Sequence, residues 1–250
     1  MGKFYITTAI DYVNAPPHLG HAYEKVAADA LARWHRSRGD ETFFLTGTDE
    51  HGAKIARAAE KAGKKPEEFV ADNRAMFEEL LKLVGASNDD FIFTSDKKRH
   101  WPGVEKLWQK LGESGDLYKA NYKGLYCVGH EAFVTEKDLV NGVCADHQQK
   151  PEVIEEENYF FRLSKYKDRI REAIEKDEFR ILPEARKNEV LAFLKGDVED
   201  ISFSRPSRDI SWGVPVPGDK EHTIYVWADA LPNYITALGY GSENESRFRK

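Results

Sequence analysis

Four groups of residues in this sequence have types and spacings suited to chemistry. The first is His18-Leu19-Gly20-His21, two imidazoles three residues apart and so on one side of a helix that the following pattern predicts. A helix mouth offers free N–H groups and the positive end of the dipole, which suits a phosphate chain. Gly20, without a Cβ, lets a flat ligand lie against the backbone. Imidazoles there donate hydrogen bonds to phosphate oxygens as charge develops in phosphoryl or nucleotidyl transfer, although such a pair is also a common cap or surface feature. The second group is Cys127-x2-His130 and Cys144-x2-His147, separated by thirteen residues. Two paired ligands across a loop supply the four N/S donors of a tetrahedral structural Zn²⁺ and leave no open position for water. Two free thiols beside solvated histidines are the alternative, and the use of both cysteines in the chain favours the metal.

The third group is Thr48-Asp49-Glu50-His51-Gly52, where Asp49 suits a substrate ammonium. The alternative is that Asp49 and Glu50 cap the next helix. The fourth runs from Trp227 to Tyr234. If Trp227 opens a helix, then Trp227, Ala230, Leu231 and Tyr234 share a face, forming either a core stripe or a cup for an unbranched, polarisable thioether. Arg205 and Arg208 face phosphates or are ordinary surface charge.

These groups need a scaffold, and the pattern supplies one. Ile6–Ile10 is a β-branched run ending at Asn14-Ala15-Pro16-Pro17, and from Leu19 a helical pattern places Ala22, Val26, Ala27, Ala30, Leu31 and Trp34 on one face. Glu41–Thr46 is a second buried strand, so strand, helix and strand form a parallel βαβ unit. Ligands of such sheets bind beyond the carboxyl ends of the strands, which brings the His18–His21 turn and the Thr48–Gly52 loop to one rim. Helices are expected over Ala53–Ala62, Pro66–Val84, Arg99–Leu111, Ser164–Lys176 and Pro183–Leu194. Strands are expected over Phe91–Thr94, Leu117–Tyr126, Ala132–Val134, near Ile201 and over His222–Val226. Glu155–Glu157 is expected to be a solvated run, and Trp212–Gly218 a rigid loop. The expected division is 1–115 and 163–250 as two halves of one Rossmann-like α/β domain, interrupted at 116–162 by a knuckle-bearing insertion.

A chain of 250 residues, 41% hydrophobic, has enough apolar material for a substantial core. Its net charge of −6 excludes a globally basic nucleic-acid binder, so any such contact is local. No apolar run reaches membrane length, no signal peptide is expected, and two cysteines fit a reducing, cytoplasmic setting.

The ordered set resembles the methionyl-tRNA synthetase family of class I aminoacyl-tRNA synthetases. The residues carrying it are Ala9-Ile10-Asp11-Tyr12, the HIGH-like His18-Leu19-Gly20-His21, Phe44 to Gly52, the Cys/His knuckle, Asn158 to Leu163, Ser204-Arg205, and Tyr225 to Tyr234. The resemblance implies a HIGH-type nucleotidyltransferase fold that activates L-methionine with ATP and Mg²⁺ and transfers it to tRNA(Met). It implies that Asp49 binds the α-ammonium, that Tyr12, Trp227, Ala230, Leu231 and Tyr234 line the thioether pocket with Ala9 and Ile10, and that His18, Gly20 and His21 hold ATP. Arg205, or else Arg208, takes the role of the family arginine; His130 stands where many relatives carry Cys. Family members continue into a KMSKS loop and an anticodon-binding domain, so the chain is expected to be a truncated synthetase and a poor catalyst alone. Two other readings remain at this point: a different HIGH-type nucleotidyltransferase, and a non-catalytic zinc-knuckle binding module.

Overall fold

In the computed structural model, which describes residues 2–130, 132–134 and 138–249, the first strand is broken into β1 (Lys3–Thr7) and β2 (Asp11–Tyr12). The break has a cause. The Ala9 N–H donates to Glu24 Oε1 (2.7 Å) and its carbonyl accepts from Lys25 Nζ (3.2 Å), so this peptide leaves the ladder. Thr7 pairs with Leu45 but Asp11 with Thr48, four residues against three, which is a one-residue bulge. Both pieces run parallel to β3 (Glu41–Asp49), and β4 (Asp90–Phe93) runs parallel along its other edge, in register from Leu45↔Asp90 to Thr48↔Phe93. Helices α1 (Leu19–Ser37), α2 (Ala53–Lys61) and α3 (Pro66–Leu83) make the crossovers, as the βαβ pattern requires. The core beneath the rim is Val13, Ile55, Val70, Phe77 and Trp212.

One expectation about α1 fails. Val26, Leu31 and Trp34 are about half exposed, at 49%, 51% and 50%, and Ala27 and Ala30 are exposed too. The buried face is instead Lys25, Ala28, Asp29 and Ala32. Small Ala28 and Ala32 let the helix approach Phe44 of β3 closely. The charged pair is buried because each finds a partner far along the chain: Lys25 meets Asp11 at 3.0 Å, and Asp29 accepts from the Ser87 N–H at 2.7 Å.

After α4 (Trp101–Glu113), β5 (Leu117–Cys127) leaves the parallel sheet and β9 (Glu152–Phe161) returns beside it, antiparallel from Leu117↔Phe161 to Tyr126↔Glu152. At the far end lie β6 (Ala132–Val134) and the hairpin of β7 (Leu139–Val140) and β8 (Val143–Cys144). That hairpin turns on Asn141 and Gly142 with φ of 53° and 78°, the two left-handed positions of a tight two-residue turn. Glu155–Glu157 is part of β9 rather than a simple solvated run: strand alternation buries Glu156, whose Oε1 accepts from Asn158 Nδ2 at 2.5 Å. A short 3-10 turn (Leu163–Tyr166), α5 (Lys167–Glu175) and α6 (Glu184–Lys195) follow around Ile174, Leu194 and Val198. The chain then adds β10 (Ile201–Ser202) to β9, and builds a three-stranded sheet from β11 (Ser204–Pro206), β12 (Pro215–Val216) and β13 (Asp219–Ile224). β13 feeds α7 (Val226–Ala230) and α8 (Asn233–Thr236) back onto the parallel sheet, where Ala237 and Tyr234 pack with Leu45 and Ile92.

Candidate functional site

At the mouth of α1, His18 is the N-cap. Its Nδ1 accepts from the Gly20 N–H (3.1 Å), and His21 Nδ1 accepts from the His18 N–H (3.0 Å), a reciprocal capping box made of two imidazoles. The rings stack at 3.8 Å between centroids, and the edge of His21 meets Phe77. Burial depresses the His21 pKa below its ordinary value; Asp11 opposes this, while His18 and Lys25 reinforce it. With Nδ1 of the neutral His21 ring occupied as an acceptor, the proton sits on Nε2, which becomes a donor. Gly20 has a use that the sequence reading did not foresee. A Cβ there would lie 3.0 Å from His18 Cε1, so the missing side chain makes room for the capping imidazole.

Across the sheet, Tyr12 of β2 is the register partner of Asp49 at the end of β3, so both arrive at the carboxyl rim. The capping alternative for Asp49 does not hold: α2 starts at Gly52 without a side-chain cap, and Asp49 Oδ1 lies 3.4 Å from both the His51 N–H and Thr94 Oγ1. Glu50 points inward, where Arg74 Nη1 reaches both its oxygens at 3.0 and 2.9 Å; Ser95 and Thr48 also donate to it. The loop is therefore clamped from below.

A cavity of about 320 Å³ opens at this rim. Ala9, Ile10, Tyr12, Asp49, Trp227, Ala230, Leu231 and Tyr234, all eight residues expected to bind substrate, line it. The face expected from Trp227 is thus no core stripe: Trp227 and Leu231 are 58% and 56% exposed, and of its four members only Ala230 is buried. Two short helices replace the single helix expected there. Tyr5 Oη donates to the Tyr234 carbonyl (2.7 Å), and Asn233 Nδ2 to the Ala230 carbonyl (2.7 Å). Burial chiefly raises the Tyr234 phenol above its ordinary pKa, and the Asp49 carboxylate adds to the rise. The lining joins one carboxylate, Asp49, to a largely aromatic and apolar wall, which suits an ammonium joined to a hydrophobic side chain. The sequence reading missed Lys54, Asn233, Gly129 and His130 as further lining residues. Lys54 follows Asp49 by five residues, a signal that proximity in sequence offered.

Arg205 does not line this cavity. It is 4% exposed and faces a separate one, of about 550 Å³, under the β5–β9 sheet. Its Nη1 donates to Ser202 Oγ (2.6 Å) and the Ser204 carbonyl (2.7 Å), and its guanidinium lies over Tyr225 at 4.8 Å. Arg208 is 75% exposed, with Asp209 at 3.5 Å.

Cys127, His130, Cys144 and His147 converge, their ligand atoms all within 4.8 Å of one another. Cys144 Sγ is 3.5 Å from His130 Nδ1 and 3.7 Å from His147 Nδ1, and Cys127 Sγ is 3.9 Å from His147 Nδ1. A tetrahedral centre with ordinary Zn–S and Zn–N bonds separates S and N by roughly 3.6 Å. The donor set therefore fits a metal. His130 turns its other nitrogen to Asp146 Oδ2 (3.0 Å), the outer carboxylate contact that fixes a ligating ring. Gly129 is required here, since a Cβ would stand 2.2 Å from the His147 ring.

A parallel sheet with a histidine-capped helix and a cavity on one rim, joined to a Cys/His cluster, matches the fold of a class I aminoacyl-tRNA synthetase domain. The family model "tRNA synthetases class I (M)" matches residues 4–144 and 132–250, and the chain belongs to that family, the methionyl-tRNA synthetases. It is 46% identical over 250 residues to the methionine–tRNA ligase of Brucella suis biovar 1, covering 98% of this chain and 48% of that relative. To the ligase of Rhizobium meliloti it is 49% identical over 240 residues, covering 94% and 46%. The crystal structure of Mycobacterium tuberculosis methionyl-tRNA synthetase bound by methionyl-adenylate superposes with a TM-score of 0.92 at 41% identity, covering 99% of this chain and 49% of that one. The free-state structure of that synthetase gives 0.82 at 38% identity. The chain spans about half the length of the relatives it matches.

Proposed function

We propose that this chain carries the amino-acid-activating site of a methionine–tRNA ligase. The observation that supports the reading most is the cavity of about 320 Å³ that Asp49 lines together with Tyr12, Trp227, Ala230, Leu231 and Tyr234, room enough for an L-methionine. Asp49 holds the ammonium, and the aromatic cup takes the thioether, whose polarisable sulfur favours ring contacts. The substrate carboxylate is left facing the mouth of α1. There ATP lies against Gly20 and the first turn of the helix, with Nε2 of His18 and His21 donating to its phosphate oxygens. The carboxylate oxygen attacks the α-phosphorus, the bond to the bridging oxygen breaks, and pyrophosphate leaves with that electron pair. A ribose hydroxyl at the end of tRNA(Met) then takes the acyl group and AMP departs. No protein nucleophile is needed; positioning and charge stabilisation supply the rate.

Mg²⁺ accompanies ATP and neutralises phosphate charge when bound. Zn²⁺ is the metal that the Cys127–His130–Cys144–His147 set would hold, in a structural role that closes the tip of the insertion. Arg205 serves here by seating Tyr225, one residue before α7, rather than by touching phosphate. The division into 1–115, 116–162 and 163–250 is part of the same proposal. So is a cytoplasmic location, for which reduced thiols are suited; among the described residues no helix is long and apolar enough to cross a membrane.

Titration calorimetry with L-methionine, norleucine and glutamate tests the reading. Methionine is expected to bind more tightly than norleucine, and glutamate not at all. Equal heats for the three would refute a thioether-selective site. Pantetheine or choline phosphates binding in preference to methionine would favour another nucleotidyltransferase.

A further inference from the structure

Behind the cavity lies a buried set of ionisable groups that the chemistry above does not use. His51 and Asp229 are 1% and 0% exposed, and His51 Nδ1 lies 2.7 Å from Asp229 Oδ2 although 178 residues separate them. His100, also fully buried, places Nε2 2.9 Å from the Asp229 carbonyl and 3.4 Å from Oδ1, while its Nδ1 reaches Thr236 Oγ1 at 2.9 Å. Burial alone would raise the Asp229 pKa, but the two histidines outweigh it and hold the group below its ordinary value. A carboxylate only accepts, so His51 donates from Nδ1 and His100 from Nε2. His51 lies between Trp101 and Trp212 in edge-on contacts, and among the described residues its buried Nε2 has no hydrogen-bond partner. Packing alone would not keep that cost: apolar residues of similar shape would serve at least as well.

The connections show what the set joins. His51 is two residues from Asp49 on the anchor loop. Asp229 sits on α7 beside the lining residue Ala230, and Thr236 closes α8, which carries Asn233 and Tyr234. We propose that His51, Asp229 and His100 are positioning residues that hold the ammonium anchor at a fixed span from the side-chain cup, so that the site binds most tightly a ligand carrying both groups at methionine's separation. The inference rests on reading the cavity as a methionine site. His51 holds the Asp229 carboxylate, and His100 holds chiefly the backbone carbonyl of the same residue while tying in Thr236, so the anchor loop is bound to both helices and neither handle is re-spaced without the other.

The test compares L-methionine with 4-(methylthio)butanoate, which keeps the thioether and lacks the ammonium, by calorimetry and competition NMR. In Asp229→Asn the lost charge weakens the His51 bond, which is no longer charge-assisted, and the amide N–H₂ faces one of the histidine N–H groups. It is expected to weaken methionine by about tenfold, within the usual range of coupling between two sites, and to change the butanoate by less than about twofold. His51→Asn keeps a donor at the Nδ1 position and should stay within about twofold of wild type, whereas His51→Leu should match Asp229→Asn. Equal losses for both ligands, tracking lowered melting temperature, would overturn the proposal, as would unchanged methionine affinity. Failure of wild-type protein to bind methionine would instead refute the site reading itself. Should Asp229→Asn not fold, wild-type protein labelled with ¹⁵N-histidine gives a second readout. The His51 Nδ1–H resonance is expected to shift on adding methionine and to stay in place with the butanoate; a resonance indifferent to both ligands would count against the network.

Discussion

At the mouth of α1, both Nδ1 atoms of the histidine pair face the chain's own backbone and the rings stack on one another; on the proposed reading their other nitrogens face ATP. In the knuckle, Nδ1 of His130 and His147 faces cysteine sulfur, and it is His130 Nε2 that turns outward, to Asp146. The first pair is set by a helix cap that exists as soon as α1 docks on β3. Among the described residues the second pair has no helix cap: β7 and β8 are two residues each, and the apolar cluster described around it is Cys127, Val134 and Cys144 with Leu125 and Leu139. On the proposed reading a metal held by the four donors orders this tip, where α1 is ordered by its cap and its packing. The same side chain thus serves in one region as a preorganised donor and in the other as part of the fold.

Substitution of both pairs would separate the two uses. His21→Asn at the helix mouth is expected to leave the fold and methionine affinity unchanged while slowing ATP–pyrophosphate exchange by about 10²–10³-fold, the usual effect of deleting one preorganised donor. His147→Asn in the knuckle should instead release the metal and expose the tip to protease. If His21→Asn unfolds the protein and His147→Asn leaves metal content intact, the contrast is wrong. Next in size is Asp49→Asn. Loss of a charge-assisted contact to ammonium costs about 2 kcal/mol, measured as a rise in the methionine dissociation constant with no change in the 4-(methylthio)butanoate constant. Chelation follows. Because Gly129 and His130 line the cavity as well as the knuckle, stripping the metal should weaken methionine by about tenfold, and exchange protection should fall at the tip but not in α1.

What the sequence made legible follows the same contrast. Both histidine pairs are local patterns, readable from spacing, and the parallel order of β1, β3 and β4 follows from strand–helix–strand lengths. The buried face of α1 was not legible, because Lys25 and Asp29 are buried by Asp11 and Ser87, partners that no helical periodicity can name. Where Arg205 packs was not legible, because an arginine beside a serine on a strand end gives no sign that Tyr126 and Tyr225 lie against it. The His51–Asp229–His100 set was invisible for the same reason: its three members lie on three segments joined only by the fold. Asn141-Gly142 was a signal that went unused, since that dipeptide between short apolar pairs marks the hairpin that carries Cys144.

The smallest effect concerns how the insertion is tied to the strand that feeds α7. Asp219 of β13 receives Lys119 Nζ of β5 at 2.9 Å, Tyr159 Oη of β9 at 3.1 Å and the Glu221 N–H at 3.0 Å. The Lys119 bond is the largest cause of a carboxyl pKa lowered to about 2. A carboxylate with a folded pKa below its unfolded one adds stability that is complete above the unfolded value, near 3.8, and is lost as pH falls through 2. Asp219→Asn is therefore expected to cost about 1 kcal/mol at pH 7, read as a lower denaturant midpoint with unchanged slope. The difference from wild type should shrink below pH 4 and vanish near pH 2. Asp219 contacts neither the helix mouth nor the knuckle ligands, so exchange protection in α1 and metal content should both stay as they are. A loss of metal in this variant would mean that the two regions share one stability, and the contrast drawn between them would fall.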